Sequence, residues 1–588
     1  MTGAAGLAAL RGRLRGVPWP LFPAIAFLLV MMVYPVDRFL LLSVEARGPA
    51  GGWTTANYQR LLDGALYWRV LGITLRCAGW TTLLSVLFGY PVAYLIATSG
   101  NRLRARLTFW VMLPFWTSFL VRTFAWIVLL GRNGVLNQWL QGLGLIESPL
   151  RLLFTFPAVM VGMLHALMPL CVVTMVAVME GIDGDLTRAA MTLGAPRGST
   201  FWRIYFPLSL PGVAAGGLLV FISALGFFIT PALLGSPHEI MLPQIILQQV
   251  QELLNWNFAG ALAVLMVATV LVAFLLFDRL FGVSSLTGGS AGSRPPGRLA
   301  RAGTAVLAGL GHGFDALGWL LPARRPRPGR RPVLFGFSLL VLGFLALPSL
   351  LMVPVSFTRI PLLDWPPQLF SWRWYQAFLG SATWQAATVR SFEVAGLTAV
   401  LSMLIGVPAA FGLVRGLRRG NAAVLALLLS PLIVPRIIIA VALFYLYARL
   451  DMVGTIAGLV LGHSILAIPY VVVTVMAVLK GYDIRLDNAA WSLGANRRRT
   501  LWHVTLPLLR AGLVAGFLFA FVTSFDELTI ALFVTGGLGA TLPKQMWDSA
   551  ILQVDPTLAA VSTLLLLLIT AVLLLAGFIS RRDRAAHG

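Results

Sequence analysis

Long apolar runs dominate the 588-residue chain, near 21–44, 67–98, 107–131, 152–179, 208–234 and 258–281, then near 333–357, 384–414, 421–449, 453–479, 508–534 and 557–580. Each is long enough to cross a hydrocarbon core of about 30 Å, which takes roughly 20 helical residues. Lipid offers no hydrogen bonds, so backbone groups must be satisfied within the segment and helices are the default. A closed barrel calls for alternating segments of about 10 residues, and those are absent. With 58% hydrophobic and 11% charged residues, the chain reads as an all-α integral membrane protein of twelve spans, six plus six.

Residues 282–332 change character: SSLTGGSAGSRPPGR and PARRPRPGRRP are rich in Gly, Pro, Ser and Arg, as a linker is. The reading is a first repeat over 1–281, a basic cytoplasmic linker over 282–332 and a second repeat over 333–588. Within the linker, 302–322 (AGTAVLAGLGHGFDALGWLLP) is apolar enough to resemble a thirteenth span. Crossing there would invert the second half and turn its arginine-rich loops outward, so an interfacial or soluble helix is expected.

The net charge of +23 comes from arginines clustered between apolar runs. That arrangement suits an anionic membrane surface rather than nucleic acid. Arg102, Arg104, Arg106, the linker, Arg415, Arg418, Arg419, Arg497 to Arg499, Arg581, Arg582 and Arg584 all fall on one side of a twelve-span arrangement, the expected cytoplasmic side. Both termini are then cytoplasmic and the protein multi-pass in a bacterial inner membrane. MTGAAGLAALRGRLRG shows no clear cleavage site and reads as the flank of a retained first span. Cys77 and Cys171 lie inside apolar runs, which suits packing and excludes a disulfide framework or a cysteine zinc site.

The two series of runs are one series written twice. AAMTLGAPRGSTFWRIYFP at 189–207 returns as AAWSLGANRRRTLWHVTLP at 489–507, an offset of 300 that also pairs Pro169 with Pro469, Asp183 with Asp483 and Gly216 with Gly516. Upstream the offset is 317, pairing Pro91 with Pro408 and Pro114 with Pro431. An even number of spans per half gives both copies one orientation, related by a pseudo-twofold axis along the membrane normal with a pathway between them. The repeated sentence falls between the fourth and fifth span of each half. A short helix, a break at Gly194 or Gly494, and a second turn running into Pro207 or Pro507, where a new helix begins, make a knuckle proud of the membrane.

Ala189, Ala190 and Gly194, with Ala489, Ala490 and Gly494, resemble the EAA loop of ABC-importer permeases, whose coupling helix sits in a cleft of a cytosolic ATPase. The leading Glu of that motif is replaced by Arg188 and Asn488. The resemblance implies the type I importer permease fold, two copies of an ATPase subunit that use ATP and Mg, and an extracytoplasmic substrate-binding protein. This chain itself is expected to bind no cofactor and to be no enzyme. Its only lysines, Lys480 and Lys544, follow Leu479 and Pro543, so no Gly-Lys phosphate loop exists. An ion-coupled secondary transporter also builds on repeated bundles, but has no ATPase to dock. Gly212 and Gly216, repeated as Gly512 and Gly516, suit either bundles sliding at close range or a static seam.

LPFWTSFLVRTFAW at 113–126, ALGFFITPALLG at 224–235 and SFDELTIALFVTGG at 524–537 resemble the two permeases of spermidine/putrescine-type importers joined in one chain. Opine, aminophosphonate and ferric-iron permeases share that architecture. Ionisable groups at membrane depth are costly and so usually functional. Asp526 and Glu527, expected well inside a fifth span, and Glu393 in a second span are candidates to neutralise ammonium groups, with Trp116, Phe227 and Phe228 as cation–π faces. Pairing of the two carboxylates with Arg122 or Arg436 is the alternative, and unpaired arginines there would favour an anionic ligand. His165 and His463 read as polar packing, and no His/Asp/Glu grouping has metal-ligand spacing.

Overall fold

A computed structural model of the chain describes residues 18–46, 52–281, 309, 312, 332–361, 365–367, 369–416, 421–536, 539–552, 556–568 and 570–571. Among the described residues the structure is helical apart from two isolated antiparallel bridges. Ten helices are long and apolar enough to cross a membrane, eleven with one sharply bent pair. The segment 302–322 lies outside the described residues except at 309 and 312, as does the last run beyond 571.

The first half comprises α1 (Trp19–Val44), α2 (Ala65–Ala97), α3 (Asn101–Met112), α4 (Phe119–Leu130), α5 (Phe156–Met179), α6 (Gly184–Thr192), α7 (Phe206–Leu225), α8 (Leu242–Gln251) and α9 (Trp256–Phe281). The second repeats it as α10 (Pro332–Val355), α11 (Ala382–Phe411), α12 (Asn421–Ile433), α13 (Arg436–Tyr447), α14 (Ile456–Lys480), α15 (Arg485–Ser492), α16 (Leu506–Phe525), α17 (Leu542–Leu552) and α18 (Thr557–Leu568). Local chemistry repeats with it. Thr155 and Thr455 each cap the start of a fourth span, accepting from Ala158 and Gly458 N–H at 3.4 and 3.0 Å. Thr74 and Ser391 hydroxyls each accept the first N–H of α8 and α17, from Leu242 at 2.9 Å and Leu542 at 2.7 Å.

Between α4 and α5 lie 25 residues, 131–155, and between α13 and α14 only 8, 448–455. The surplus of 17, which contains the helix Val135–Gly142, accounts for the change of offset from 317 to 300.

The expected third and fifth spans are not single helices. In the third span of the first half, the turn Leu113–Trp116 separates α3 from α4; in the second half α12 and α13 meet at 93°. Prolines explain both. Pro114 opens the first turn and Pro435 caps α13, and proline neither donates to the helical ladder nor lets its predecessor stay helical easily. The fifth spans break after α7 and α16, at Gly226 and Asp526, before the short helices Ile229–Leu234 and Thr529–Val534.

A second correction concerns Pro207 and Pro507, expected to begin new helices. They lie instead within continuous helices, Gly198–Leu225 and Arg497–Phe525. A π-helical turn precedes each, Phe201–Tyr205 and Leu501–Thr505; its wider spacing accommodates the missing proline N–H and the ring. The Gly212/Gly216 and Gly512/Gly516 pairs face the fourth span of their own half. A Cβ at Gly212 would meet Val178 Cβ at 2.9 Å and one at Gly512 would meet Val478 Cγ2 at 2.6 Å. They form packing seams inside each half rather than a sliding surface between bundles.

The halves interlock. Helix α1 packs on α11, α12 and α13 as well as on α9 of its own half, and α10 packs on α2, α3 and α4, so each first span reaches across to the other half. Phe337 stacks on Phe88 at 6.2 Å, Phe344 meets Trp126 at 5.4 Å, and His165 Nε2 is 3.0 Å from Leu345 O. The largest apolar core draws on both halves, from Leu21 and Phe39 to Ile437 and Leu558. A protease site placed near residue 295 and cut after insertion is therefore expected to leave two fragments that elute as one particle in detergent. Separate elution would show that the exchanged spans do not hold the halves together.

Candidate functional site: two surface knuckles and the junction they reach

The repeated motif folds alike twice. Asp183 caps α6 and Asp483 stands one residue ahead of Ile484, the cap of α15; their Oδ1 atoms accept from Asp185 N–H and Arg485 N–H, each at 2.9 Å. Both end in a Schellman turn: Ala195 N–H donates to Ala190 O at 3.0 Å and Gly194 N–H to Met191 O at 3.1 Å, and Ala495 and Gly494 donate likewise to Ala490 and Trp491 at 3.0 Å. The turn requires a left-handed residue, and Gly194 and Gly494 supply it at φ 84° and 85°. Ala189 and Ala489 are exposed, while Ala190 and Ala490 are half-buried.

Each turn presents an unpacked leucine, Leu193 at 88% and Leu493 at 89% exposure, beside Leu186 and Met191 in one copy and Ile484, Leu486 and Trp491 in the other. Small contiguous apolar surfaces rimmed by charge mark interaction sites. Arg188, standing where the family motif has Glu, forms an exposed ion pair with Asp185 on its own helix.

From each knuckle one continuous helix of 28 or 29 residues runs inward, about 40 Å at 1.5 Å per residue. Both end at a junction between the halves. Gly226, which follows α7, lies against Pro435 at the break before α13; a Cβ there would sit 3.3 Å from Pro435 Cβ. Asp526, which follows α16, lies against the break before α4 and accepts from Phe119 N–H at 3.3 Å. Gly226 and Asp526 are 300 apart, and Ser118 and Pro435 are 317 apart, so the two contacts are related by the repeat.

The structure brings only some of the expected pathway residues together. Asp526 sits on the junction, half-buried, and Phe227 reaches the same break through Phe119, its ring 5.4 Å from the Phe119 ring. Glu527 is 1% exposed, within 3.4 Å of Arg436 Nη1, and accepts from Ile530 N–H at 3.0 Å. Both carboxylates therefore cap short helix starts rather than lying inside one span, as the break after α16 dictates. Phe228 is a core side chain against Trp547 of the other half, at 5.6 Å. Glu393 is exposed on α11 among Val389, Leu397, Val400 and Leu404, an outward stripe at helical spacing. The Trp116 side chain lies outside the described residues.

Arg122, 3% exposed, donates to Ala166 O at 3.3 Å and covers the Phe119 ring at 4.2 Å. Among the described residues no three His, Cys, Asp or Glu side chains are placed to hold a metal ion. The sequence reading missed Thr74 and Ser391, although their separation of 317 signals them. It also missed Asp487, for which no repeat partner exists. Replacing Glu527 by Gln keeps an acceptor for Ile530 but leaves Arg436 without its counter-charge. Because Arg436 is 40% exposed, the expected cost is well below the ~3–5 kcal/mol of breaking a fully buried pair. A lower thermal midpoint in detergent is the readout, and an unchanged midpoint would show that the pair adds nothing to the fold.

Residues 85–284 and 402–584 match the family model described as the binding-protein-dependent transport system inner membrane component. The spermidine/putrescine transport system permease protein PotB of Escherichia coli (strain K12) is 35% identical over 227 residues, 39% of this chain and 82% of that protein. PotC of Haemophilus influenzae, a permease of the same description, is 31% identical over 248 residues, 42% of this chain and 96% of that protein. Among solved structures, a bacterial alginate ABC transporter in complex with an alginate pentasaccharide-bound periplasmic protein is similar at 19% identity over 44% of this chain and 91% of that chain, with a TM-score of 0.38. The family domain thus occurs twice in a single polypeptide, and the chain belongs to the binding-protein-dependent transport system inner membrane components, as a multi-pass ABC-importer permease.

Proposed function

We propose that the chain forms the whole translocation pathway of an importer for a small organic cation, a polyamine such as spermidine or putrescine. Residues 1–281 and 333–588 act as its two permease repeats, joined by a cytoplasmic linker over 282–332. Both termini face the cytoplasm, where the arginine-rich loops lie. Each knuckle docks on one copy of a cytosolic ATPase, through Ala189, Ala190, Gly194 and the helix that carries Pro207, and through Ala489, Ala490, Gly494 and the helix that carries Pro507. The ATPases bind and use the ATP and Mg. An external binding protein delivers the solute.

The observation that carries this reading is the pair of equivalent knuckles, each continuous with a helix that ends against the opposite half. Closure of the ATPase pair would move both knuckles, and stiff helices carry that motion to the junction, where one half rocks against the other. A carrier driven by an ion gradient has no use for two exposed apolar knuckles at the outer ends of such levers. Substituting Glu for both Gly194 and Gly494 puts a side chain into the left-handed turn and a charge onto the docking surface. The double variant is expected to abolish stimulation of the partner ATPase while the chain still inserts; retained stimulation would overturn the docking assignment. Uptake by the purified chain alone in ATP-free vesicles under a proton or sodium gradient would overturn the importer reading altogether.

The polyamine reading is supported by the names of the relatives and by Asp526 on the junction, where the Phe119 backbone holds the carboxylate and the Phe119 ring meets Phe227, so that a charge and aromatic faces stand at one break. Glu527, Phe228 and Glu393 stand behind or away from that point, held by Arg436, by Trp547 and on the outward face of α11. Asp526→Asn keeps an acceptor for Phe119 N–H and removes the charge. Spermidine uptake by the reconstituted importer is expected to fall about tenfold, the effect of losing roughly 1.4 kcal/mol of binding. Unchanged uptake kinetics would make Asp526 a helix cap only.

A further inference from the structure

The two knuckles share a backbone and differ in what fastens them. Under the second, Asp487 of α15 is buried, its side chain 2% exposed. It takes three donors: Arg415 Nη1 at 2.8 Å on Oδ2, and Tyr482 Oη at 2.6 Å and Thr505 Oγ1 at 2.9 Å on Oδ1. Arg415 lies in the π-helical turn Gly412–Gly416 that extends α11. Tyr482 follows the end of α14, and Thr505 closes the π-helical turn that leads into α16. One carboxylate therefore ties the knuckle to the second, fourth and fifth spans of its half. The Arg415 guanidinium is itself held over the Phe411 and Tyr482 rings, at 5.3 and 5.0 Å.

None of these groups recurs in the first half. The corresponding residues are Thr187, Ile182 and Tyr205 at an offset of 300, and Thr98 at an offset of 317. Thr187 donates to Gly184 O at 2.8 Å and Thr98 to Tyr94 O at 2.7 Å, each on its own helix. The Tyr205 ring meets Tyr94 edge to face at 4.8 Å, and Phe201 meets Tyr94 at 5.3 Å. Aromatic edges thus take part in holding the first knuckle to α2, and beside it Arg104 pairs with Glu180 at 3.4 Å, at the end of the fourth span. A carboxylate surrounded by donors fixes direction as well as distance, whereas ring-edge contacts keep their area through small tilts.

We propose that Asp487 is a positioning residue for energy coupling: it locks the second knuckle to its bundle, so that this knuckle carries its share of the ATPase stroke into the membrane. The inference rests on the reading of the knuckles as ATPase docking points. Its test uses the complete importer in nanodiscs, with its ATPase and its binding protein as purified, and reads the ratio of ATPase rates with and without the binding protein. Asp487→Asn is expected to lower that stimulation at least ~5-fold, the low end of a typical coupling between sites, with the assembled complex still recovered. Asp487→Glu, which keeps the carboxylate, is expected to restore part of it.

Tyr482→Phe deletes one donor and leaves the ion pair, so it should lower the stimulation in the same direction by less, in a fully folded complex. If Asp487→Asn keeps the native ratio, or lowers only yield and thermal midpoint while surviving complexes respond normally, Asp487 merely supports the fold and the proposal fails. The Gly194→Glu, Gly494→Glu double variant separates this from failure of the docking reading, which alone predicts its loss of stimulation.

Discussion

A helix interrupted inside a membrane leaves N–H groups that lipid cannot satisfy, and this chain interrupts four spans, whose breaks meet in two pairs. The breaks are tolerable because they meet one another. Asp526, at the end of α16, accepts the first N–H of α4 in the opposite half, placing a carboxylate at the positive end of a helix. Glu527 does the same for the short helix that follows it, and Arg436 at the start of α13 balances its charge. At the repeat-related contact, Gly226 and Pro435 touch without a polar group; glycine allows the approach and proline has no N–H to satisfy. Each half thus depends on the other to complete its interior, and the exchange of first spans encloses the arrangement.

This dependence explains why the levers are built as they are. A stiff helix that ended in lipid would move without consequence, whereas α7 and α16 end on a break belonging to the other half. In the proposed stroke a displacement of a knuckle reaches a contact between halves, while the close packing of Gly212 and Gly512 on Val178 and Val478 favours each fifth span moving with its own fourth span. The glycine seams stiffen the lever; the interface between halves is where relative movement has room.

Much of this is legible in the sequence. Hydropathy and the paired offsets are enough for an all-α duplicated membrane protein, because span length follows from the bilayer and duplication from the offsets. The conformation at Gly194 and Gly494 was also within reach, since a glycine closing a short helix has few alternatives. The breaks were harder. Apolar residues continue through 113–118 and 226–228, so hydropathy does not register them, and only Pro114, Pro431 and Pro435 gave a hint. Exchange of the first spans is a statement about neighbours across hundreds of residues, on which periodicity within one segment is silent. Asp526 and Glu527 stood out as membrane-depth charges, yet their use as helix caps depends on breaks the apolar pattern hides.

The divergence between the copies follows from what duplication leaves free. Backbone features that any working knuckle needs, the aspartate at the helix start, the glycine turn and the π-turn before proline, stand in both copies. The means of attachment need only suit its own bundle, and there the halves differ: aromatic edges take part in one, a buried carboxylate with three donors in the other. A buried charge is destabilised when its counter-charge is removed, so Asp487 and Arg415 are constrained as a pair, while a neutral donor or an aromatic contact tolerates change one residue at a time. In two separate chains such asymmetry would require each to recognise the other. Within one polypeptide the two kinds of knuckle are always present in equal number, so their different attachments cost no specificity of assembly.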